Sequence, residues 1–245
     1  MSVRRLLLVR HGESVWNVEQ RVQGHECRGL TDAGHVQAQR TAEVIGVHFA
    51  GATLVTSDLG RCQDTAAPIA AALGVVPSVD PVLRERHFGR WEGLTREGLA
   101  LDDPGRFRRW RAGEDVIGEV GGESDVEIRA RAARVFAALL GPGSGPGADS
   151  DDAPRTVVAV THGGTIWYGV HELLRFAGYR LGAVHNASLT ELVLGGRGPA
   201  GLDPELPQLA RFNETSHLGG RASVGAVRAP TRSAPHGDGA LRRVR

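Results

Sequence analysis

Two histidines of this sequence occupy the same position relative to an apolar run. Four apolar residues lead into Arg10 and His11, four others lead into Thr161 and His162, and a glycine follows each histidine. Glycine lets a ligand approach the backbone closely. Apolar runs without alternation are typical of buried strands in a parallel sheet, and ligands bind at the carboxyl ends of such strands. The pattern therefore predicts that His11 and His162 meet at one site.

Two arginines add positive charge to this predicted site. Arg10 directly precedes His11, and Arg61 lies about one turn into the helix predicted after the extended segment 53–56, so that it can point back toward the strand ends. Guanidinium groups bind carboxylates and phosphates through paired hydrogen bonds. Two arginines and two histidines without the spacing of a zinc site favour a pocket for a dianion such as phosphate.

Strands and helices alternate along the chain and must position these residues. Apolar runs predict strands at 3–9, 53–56, 75–79, 156–160, 188–194 and 209–213. Helices are predicted at 31–49, 58–73, 124–140 and 165–176, the third of them opened by a capping box of Ser124 and Glu127. Such alternation predicts a three-layer α/β/α fold with a mostly parallel central sheet.

The composition excludes several classes of enzyme. All 29 basic residues of the 245-residue chain are arginine. Without lysine the chain cannot carry a P-loop, a pyridoxal phosphate Schiff base or a Ser–Lys catalytic pair. Cys27 and Cys62 form neither a disulfide framework nor a metal motif. We therefore expect reduced thiols, no metal and no cofactor.

One domain over residues 1–218 is expected, followed by a disordered basic tail over 219–245. The tail has six arginines and one aspartate, a charge of +5, which leaves −4 on residues 1–218 of a chain whose net charge is +1. A mildly acidic body does not suggest nucleic-acid binding. The Gly/Pro-rich segment 141–154 predicts a flexible surface insertion. Because the sequence shows no membrane span and no signal peptide pattern, we expect no membrane partner and a cytoplasmic location.

Six sequence blocks follow one another in a fixed order. They are RHGESVWN (10–17), GLTDAGHVQA (29–38), TSDLGRCQDTA (56–66), LRERHFGRWEG (83–93), GGES (121–124) and THGG (161–164). Together they span about residues 4 to 194 and resemble the histidine phosphatase superfamily, in its phosphoglycerate mutase-like branch. The resemblance implies a phosphoglycerate mutase-like fold and a small phosphate monoester as the binding partner. A homodimer is an expected assembly.

The resemblance also implies roles for individual residues. The histidine of the first block, His11, corresponds to the nucleophile, and Glu85 to the proton donor. The positions that contact the phosphoryl group or line the substrate side are Arg10, Asn17, Gln23, Gly24, Arg61, His162 and Gly163. The implied reaction forms a phosphohistidine on neutral His11. Two arginines and a protonated His162 would then supply the positive charge that other phosphoryl-transfer enzymes take from Mg²⁺.

Three departures count against a phosphoglycerate mutase, the main alternative activity. Mutases of the branch carry paired arginines in a longer insertion, for which Arg108 and Arg109 are an uncertain equivalent. They have asparagine where Gly164 stands, and lysine where Arg96 stands. We therefore favour a metal-independent phosphatase acting on a sugar phosphate or a phosphoglycerate derivative. A non-catalytic phosphate-binding module would require the loss of a catalytic residue, and none is missing from the sequence.

Several residues have alternative roles at this stage. Asn17 could cap the loop around it instead of contacting phosphate, and Glu13 and Glu92 are rivals of Glu85 for the role of proton donor. The arginines of 106–111 could bind an acidic part of the substrate, or they could form the solvated face of a cap helix.

Overall fold

A six-stranded sheet forms the centre of the fold in the computed structural model, which describes residues 3–26, 28–141, 155–175, 181–195 and 205–219. The strands are β1 (Arg4–Arg10), β2 (Thr53–Thr56), β3 (Ser78–Val79), β4 (Arg155–Thr161), β5 (Leu189–Leu194) and β6 (Gln208–Glu214). Their order across the sheet is β3-β2-β4-β1-β5-β6. The first four of these are parallel, whereas β5 runs antiparallel to both of its neighbours. The sheet is mostly parallel, as predicted.

The pairing of β1 with β4 explains why the two histidines meet. These central strands are parallel, and Arg10 lies opposite Thr161 in their register. The histidines follow this pair directly, and the backbone N–H of His11 donates to the carbonyl of Thr161 at 3.0 Å. The imidazole rings of His11 and His162 lie edge to face with their centroids 5.3 Å apart. The predicted convergence of the two histidines is confirmed.

Helices cover both faces of the sheet. They are α1 (Val15–Val18), α2 (Asp32–His48), α3 (Gly60–Leu73), α4 (Arg96–Asp102), α5 (Pro104–Arg111), α6 (Asp125–Leu140) and α7 (Gly163–Leu173). Leu7 and Val9 of β1 pack with α2 and α3, whereas Leu6 and Leu8 pack with α6 and α7 on the other face. This alternation is what successive side chains of a strand require, and it confirms the three-layer fold.

A separate apolar cluster holds the shortest helices. Phe107 and Trp110 of α5 are buried together with Trp91, and the rings of Trp91 and Trp110 meet edge to face with centroids 5.8 Å apart. Thr95 caps α4 and Asp103 caps α5. The sequence analysis did not predict α1 or α4, because helices this short show no full amphipathic period and depend on tertiary packing. A cap helix at 106–111 was only one of two alternatives.

The boundaries of several elements differ from the sequence prediction by one to three residues, and α7 and β3 show why. Helix α7 begins at Gly163, two residues earlier than predicted, so that His162 is its N-cap. Strand β3 has two residues instead of the predicted five. Gly74 ends α3 in the left-handed conformation, and the N–H of Val75 still bonds to the carbonyl of Ala70. The turn that closes α3 therefore occupies the start of the predicted strand.

Some predictions concern residues outside the described ranges. Gly141 caps the end of α6 and Gly219 follows a short 3₁₀ helix, Ser216–Leu218. The rest of the predicted insertion, 142–154, lies outside, as do the rest of the predicted tail, 220–245, and Cys27. No helix of the described residues has the length and apolar character needed to cross a membrane.

Candidate active site

The contacts of His11 define which of its ring nitrogens can react. The side chain is buried, and Nδ1 lies 2.7 Å from the carbonyl oxygen of Gly12. Because a carbonyl only accepts, Nδ1 carries the proton and Nε2 keeps its lone pair. Burial, followed by the charges of Arg61 and Arg10, lowers the pKa of His11 well below its ordinary value. His11 is therefore a neutral imidazole with Nε2 as its nucleophilic nitrogen.

His162 has the opposite tautomer. Its Nδ1 lies 3.0 Å from Nη2 of Arg61, and its Nε2 lies 3.0 Å from Oγ of Ser57. A guanidinium group has no acceptor, so Nδ1 accepts from Arg61 and Nε2 donates to Ser57. Burial, and then the charge of Arg61, lowers the pKa of His162 well below its ordinary value. In this structure the ring is therefore neutral and orients Arg61, and a protonated His162 during phosphoryl transfer stays a prediction.

Two arginines bring fixed positive charge to the histidines. Arg61 is buried in the first turn of α3, and its Nη2 also donates to the carbonyl of Gly24 at 2.7 Å. Arg10 is buried at the end of β1 and donates from Nη1 to the carbonyl of Val184 at 2.6 Å. Burial lowers the pKa of Arg10 to about 10 although Glu85 opposes the shift, so Arg10 remains charged at neutral pH.

The start of α7 supplies further hydrogen-bond donors beside Arg10. A Cβ on Gly163 would lie 3.1 Å from Nε of Arg10, so the first residue of the helix is in direct contact with the guanidinium group. The N-terminus of a helix carries partial positive charge and N–H groups that do not bond within the helix. Together with Arg10 and Arg61, it gives the pocket the electrostatics of a dianion site.

Glu85 lies on the same helix terminus. Its Oε2 accepts from the N–H of Gly164 at 2.9 Å, and its Oε1 accepts from the N–H of Thr165 at 3.1 Å and from that of Arg86 at 2.8 Å. The side chain is 9% exposed, and the pKa of Arg10 responds to its charge. The carboxyl group is thus held next to the histidines and arginines, where a proton donor to a leaving group must lie.

The two rival carboxylates have other partners. Oε1 of Glu13 accepts from the hydroxyl of Thr31 at 3.0 Å. Glu92 accepts from the backbone N–H groups of His25 at 3.0 Å and Phe88 at 2.9 Å, and thereby holds two loops together. The role of Glu85 as the proton donor stays a prediction.

Asn17 and Gln23 form one polar network at the edge of the site. Oδ1 of Asn17 accepts from the N–H of Ser14 at 3.1 Å, and Ser14 caps α1 in return. Nδ2 of Asn17 lies 3.4 Å from Oε1 of Gln23, whose Nε2 donates to Oγ of Ser14 at 2.7 Å. The alternative role of Asn17 as a cap is therefore confirmed, and its contact with phosphate stays a prediction.

The arginines of α5 pair with acidic residues of their own segment. Arg106 contacts Glu119 at 2.9 Å and also pairs with Asp103. Arg109 contacts Glu114 and Glu119, both at 2.8 Å. Because Phe107 and Trp110 turn inward, these contacts favour the solvated face of a cap helix over a binding site for an acidic substrate.

Two buried residues of the site were missed by the sequence analysis. Ser57 accepts the Nε2 proton of His162, and its position directly after the strand 53–56 was an available signal. Asn186 is fully buried and contacts the carbonyls of both His11 and Gly12 at 3.2 Å. No local pattern marks Asn186, because its contacts lie about 175 residues away along the chain. Across the residues that the structure covers, no group of three or more His, Cys, Asp or Glu side chains could hold a metal ion.

Comparisons with known proteins agree with this geometry. The sequence model of the histidine phosphatase superfamily (branch 1) matches residues 6–203. A glucosyl-3-phosphoglycerate phosphatase of Mycobacterium tuberculosis is 40% identical over 198 residues, which cover 78% of this chain and 86% of that protein. The phosphoglycerate mutase-like protein 4 of Arabidopsis thaliana is 36% identical over 165 residues, 66% of this chain and 67% of its own.

A solved structure of a related phosphatase has the same fold. The structure of a mycobacterial glucosyl-3-phosphoglycerate phosphatase in complex with VO3 superimposes with a TM-score of 0.69 and 36% identity, and covers 86% of this chain and 100% of that one. The residues that the family model matches, 6–203, include His11, Arg61, Glu85 and His162. The chain belongs to the histidine phosphatase superfamily, branch 1.

Proposed function

We propose that the protein hydrolyses phosphate monoesters through a phosphohistidine on His11, with Glu85 as proton donor and acceptor. The observation that carries the proposal is the fixed tautomer of His11. Its Nδ1 proton is held by Gly12, which leaves the lone pair of Nε2 beside Arg10 and Arg61. A neutral imidazole in a positively charged pocket is suited to attack a phosphate dianion.

In the first step, Nε2 of His11 forms a bond to phosphorus while the bond from phosphorus to the ester oxygen breaks. The departing alkoxide takes the proton of the Glu85 carboxyl group, so that a neutral alcohol leaves. Arg10, Arg61 and the N–H group of Gly163 stabilise the charge on the equatorial oxygens, whereas the N–H groups of Gly164 and Thr165 hold Glu85. His162 acts as a neutral partner that orients Arg61.

In the second step, water attacks the phosphorus of the phosphohistidine. The Glu85 carboxylate takes a proton from this water, the bond between phosphorus and Nε2 breaks, and inorganic phosphate leaves. His11 and Glu85 return to their starting protonation states, so the cycle is balanced without another reactant.

The names of the relatives suggest the class of substrate. We propose a phosphorylated glycerate derivative of the glucosyl-3-phosphoglycerate type, supported by the 40% identical Mycobacterium tuberculosis phosphatase of that name. Arg109, one of the two arginines that are an uncertain equivalent of the mutases' pair, is bonded to Glu114 and Glu119, which gives the mutase alternative no support.

The test is release of inorganic phosphate from a panel of esters that includes glucosyl-3-phosphoglycerate, 3-phosphoglycerate and a simple sugar phosphate, with a chelator present. We expect His11→Ala to abolish turnover and Glu85→Gln to slow it while phosphate still binds. His35→Ala, which removes an exposed histidine of α2, is the matched control and should retain wild-type turnover. Near-wild-type turnover in His11→Ala would contradict the mechanism. Conversion of 3- to 2-phosphoglycerate without release of inorganic phosphate would favour the mutase.

Several expectations from the sequence stay predictions. They are the domain boundaries at 1–218 and 219–245, a cytoplasmic location, a homodimer, and the absence of nucleic-acid and membrane partners.

A further inference from the structure

Asn186 lies behind the nucleophile, in the turn that precedes β5. Its side chain is fully buried. Nδ2 lies 3.2 Å from the carbonyl of Gly12, 3.2 Å from the carbonyl of His11 and 2.8 Å from Oδ1 of Asn17. The Gly12 carbonyl is the group that accepts the Nδ1 proton of His11. One amide group therefore contacts the backbone carbonyls of the nucleophile and of the residue that follows it.

The orientation of this amide is fixed by its partners. Two of them are carbonyl oxygens, and the third, Oδ1 of Asn17, already accepts from the N–H of Ser14. All three are acceptors, so the NH₂ group of Asn186 must face them. Its two hydrogens are shared among three oxygens, and a flipped amide would place oxygen against oxygen at each contact.

The backbone of the turn is strained so that this amide faces His11. Ala187 has a φ of 55°, a conformation that a residue with a side chain rarely adopts. The N–H of Ala187 donates to the carbonyl of His11 at 3.1 Å, and Nε2 of His217 lies 3.1 Å from the carbonyl of Ala187. A strained backbone in a fully buried turn persists only where contacts hold it in place, and here the contacts with His11 and His217 hold Ala187 from two sides.

Packing alone does not explain an asparagine at this position. Within the described part of the chain, the buried Oδ1 of Asn186 has no hydrogen-bond donor. An apolar side chain of similar volume would fill the same space without an unsatisfied buried oxygen. The contacts of the NH₂ group are therefore the physical reason for an amide here.

We propose that Asn186 is a positioning residue for the nucleophile. Its NH₂ group holds the Gly12 carbonyl in place, this carbonyl holds the Nδ1 proton of His11, and Nε2 is thereby kept unprotonated and aimed at the phosphorus atom. The inference rests on the proposed role of His11. Asn186 itself does not touch the substrate in this scheme, because backbone and imidazole lie between them.

Replacing Asn186 removes the donor that fixes the Gly12 carbonyl. The carbonyl can then turn away from Nδ1, so that the proton of the imidazole is free to move to Nε2 and the ring is free to rotate. Partners that fix the tautomer of a metal-ligating histidine change activity by about 10- to 100-fold when they are lost, and we take the same range for His11. The charged groups that bind phosphate in this scheme are oriented by other residues, Arg10 by Val184 and Arg61 by Gly24 and His162. Only Asn17, a predicted phosphate contact, is held by Asn186, so affinity for phosphate should change less than kcat.

The test compares Asn186→Ala and Asn186→Asp with Ser188→Ala. Ser188 is buried two residues further along the same turn, and within the described chain its hydroxyl has no hydrogen-bond partner, which makes it a matched control. We expect both Asn186 variants to lower kcat by roughly 10- to 100-fold. Inhibition by inorganic phosphate should shift less than about threefold, because Arg10 and Arg61 are unaffected. Ser188→Ala should keep the wild-type kcat.

Nitrogen chemical shifts of the His11 ring provide a readout that does not depend on turnover. The wild-type ring should carry its proton on Nδ1 alone, and Asn186→Ala should populate both tautomers. A single Nδ1–H tautomer together with a wild-type kcat in a folded Asn186→Ala protein would overturn the inference. If Asn186→Ala does not fold, Asn186→Asp answers the same question, since it keeps the side-chain volume and replaces the NH₂ donor by an acceptor. A wild-type protein that releases no phosphate while His11 shows the expected tautomer would instead refute the proposed function.

Discussion

Gly164 leaves just enough space for Glu85 to reach the first turn of α7. A Cβ at position 164 would lie 2.4 Å from Oε1 of Glu85, whereas ordinary contacts begin at 3.4 Å. In Gly164→Ala the carboxyl group must therefore retreat by about 1 Å, and its hydrogen bonds to the helix N–H groups, now 2.9 and 3.1 Å long, must stretch or break. A misplacement of this size costs roughly 100-fold in rate, which is about 2.7 kcal/mol of activation free energy.

The dependence on the leaving group distinguishes this effect from general damage. An alkyl ester such as a phosphoglycerate needs a proton on its departing oxygen, whereas p-nitrophenolate leaves as a stabilised anion. We expect kcat of Gly164→Ala to fall about 100-fold on the alkyl ester and much less on p-nitrophenyl phosphate. In a Glu85→Gln background the alanine should have almost no further effect, because the group that it displaces no longer donates a proton.

Gly105→Ala is the matched control for this substitution. Gly105 is the second residue of α5 as Gly164 is of α7, and a Cβ at Gly105 meets nothing within 4 Å. Alanine has the higher helix propensity, by roughly 0.8–1 kcal/mol within a helix, so neither variant should unfold through its helix. The reasoning is refuted if Gly164→Ala keeps its kcat on alkyl esters, or if it loses the same factor on both kinds of ester and in the Glu85→Gln background.

Two further predictions concern stability. The folded-state pKa values of His11 and His162 lie well below those of the unfolded chain, so the unfolded state binds more protons below pH about 6.5. The free energy of unfolding should therefore fall with decreasing pH, by up to about 1.4 kcal/mol per pH unit for each histidine. Urea titrations between pH 5 and 7 measure this slope, and a flat profile would contradict it. Arg86 is buried and pairs with Asp115 at 2.7 Å and Asp125 at 2.6 Å, so Arg86→Met should lower the free energy of unfolding by about 3 kcal/mol. Arg106→Met, which removes exposed ion pairs, should lower the free energy of unfolding much less in the same urea titration, and equal losses would speak against the burial argument.

Local patterns in the sequence were sufficient for the long helices and the central strands. The apolar run before His11 predicted a buried strand at 3–9, and the structure has Arg4–Arg10. Ser124 and Glu127 predicted the start of a helix at 124, and both halves of their capping box are present. These elements depend on side-chain period and capping chemistry within one segment, which the sequence contains in full.

The protonation states of the site could not be predicted in the same way. The sequence suggested a charged His162, but the structure places the Nη2 group of Arg61 on its Nδ1. Residues 61 and 162 are brought together because β2, the strand that precedes the helix of Arg61, pairs with β4, the strand that ends directly before His162. Which nitrogen accepts and which donates therefore depends on strand order and not on either local sequence.

The sequence by itself determined which residues could do chemistry, because these residues lie in local features. The features are two strands ending in His-Gly, an arginine one turn into a helix and a glutamate in the fourth block. Only the tertiary structure decided how they act. It placed Glu85 on the N–H groups of Gly164 and Thr165, and it placed Asn186 behind His11. Contacts between residues about 80 to 175 positions apart are set by the packing of the whole sheet and its helices, and no local pattern specifies them.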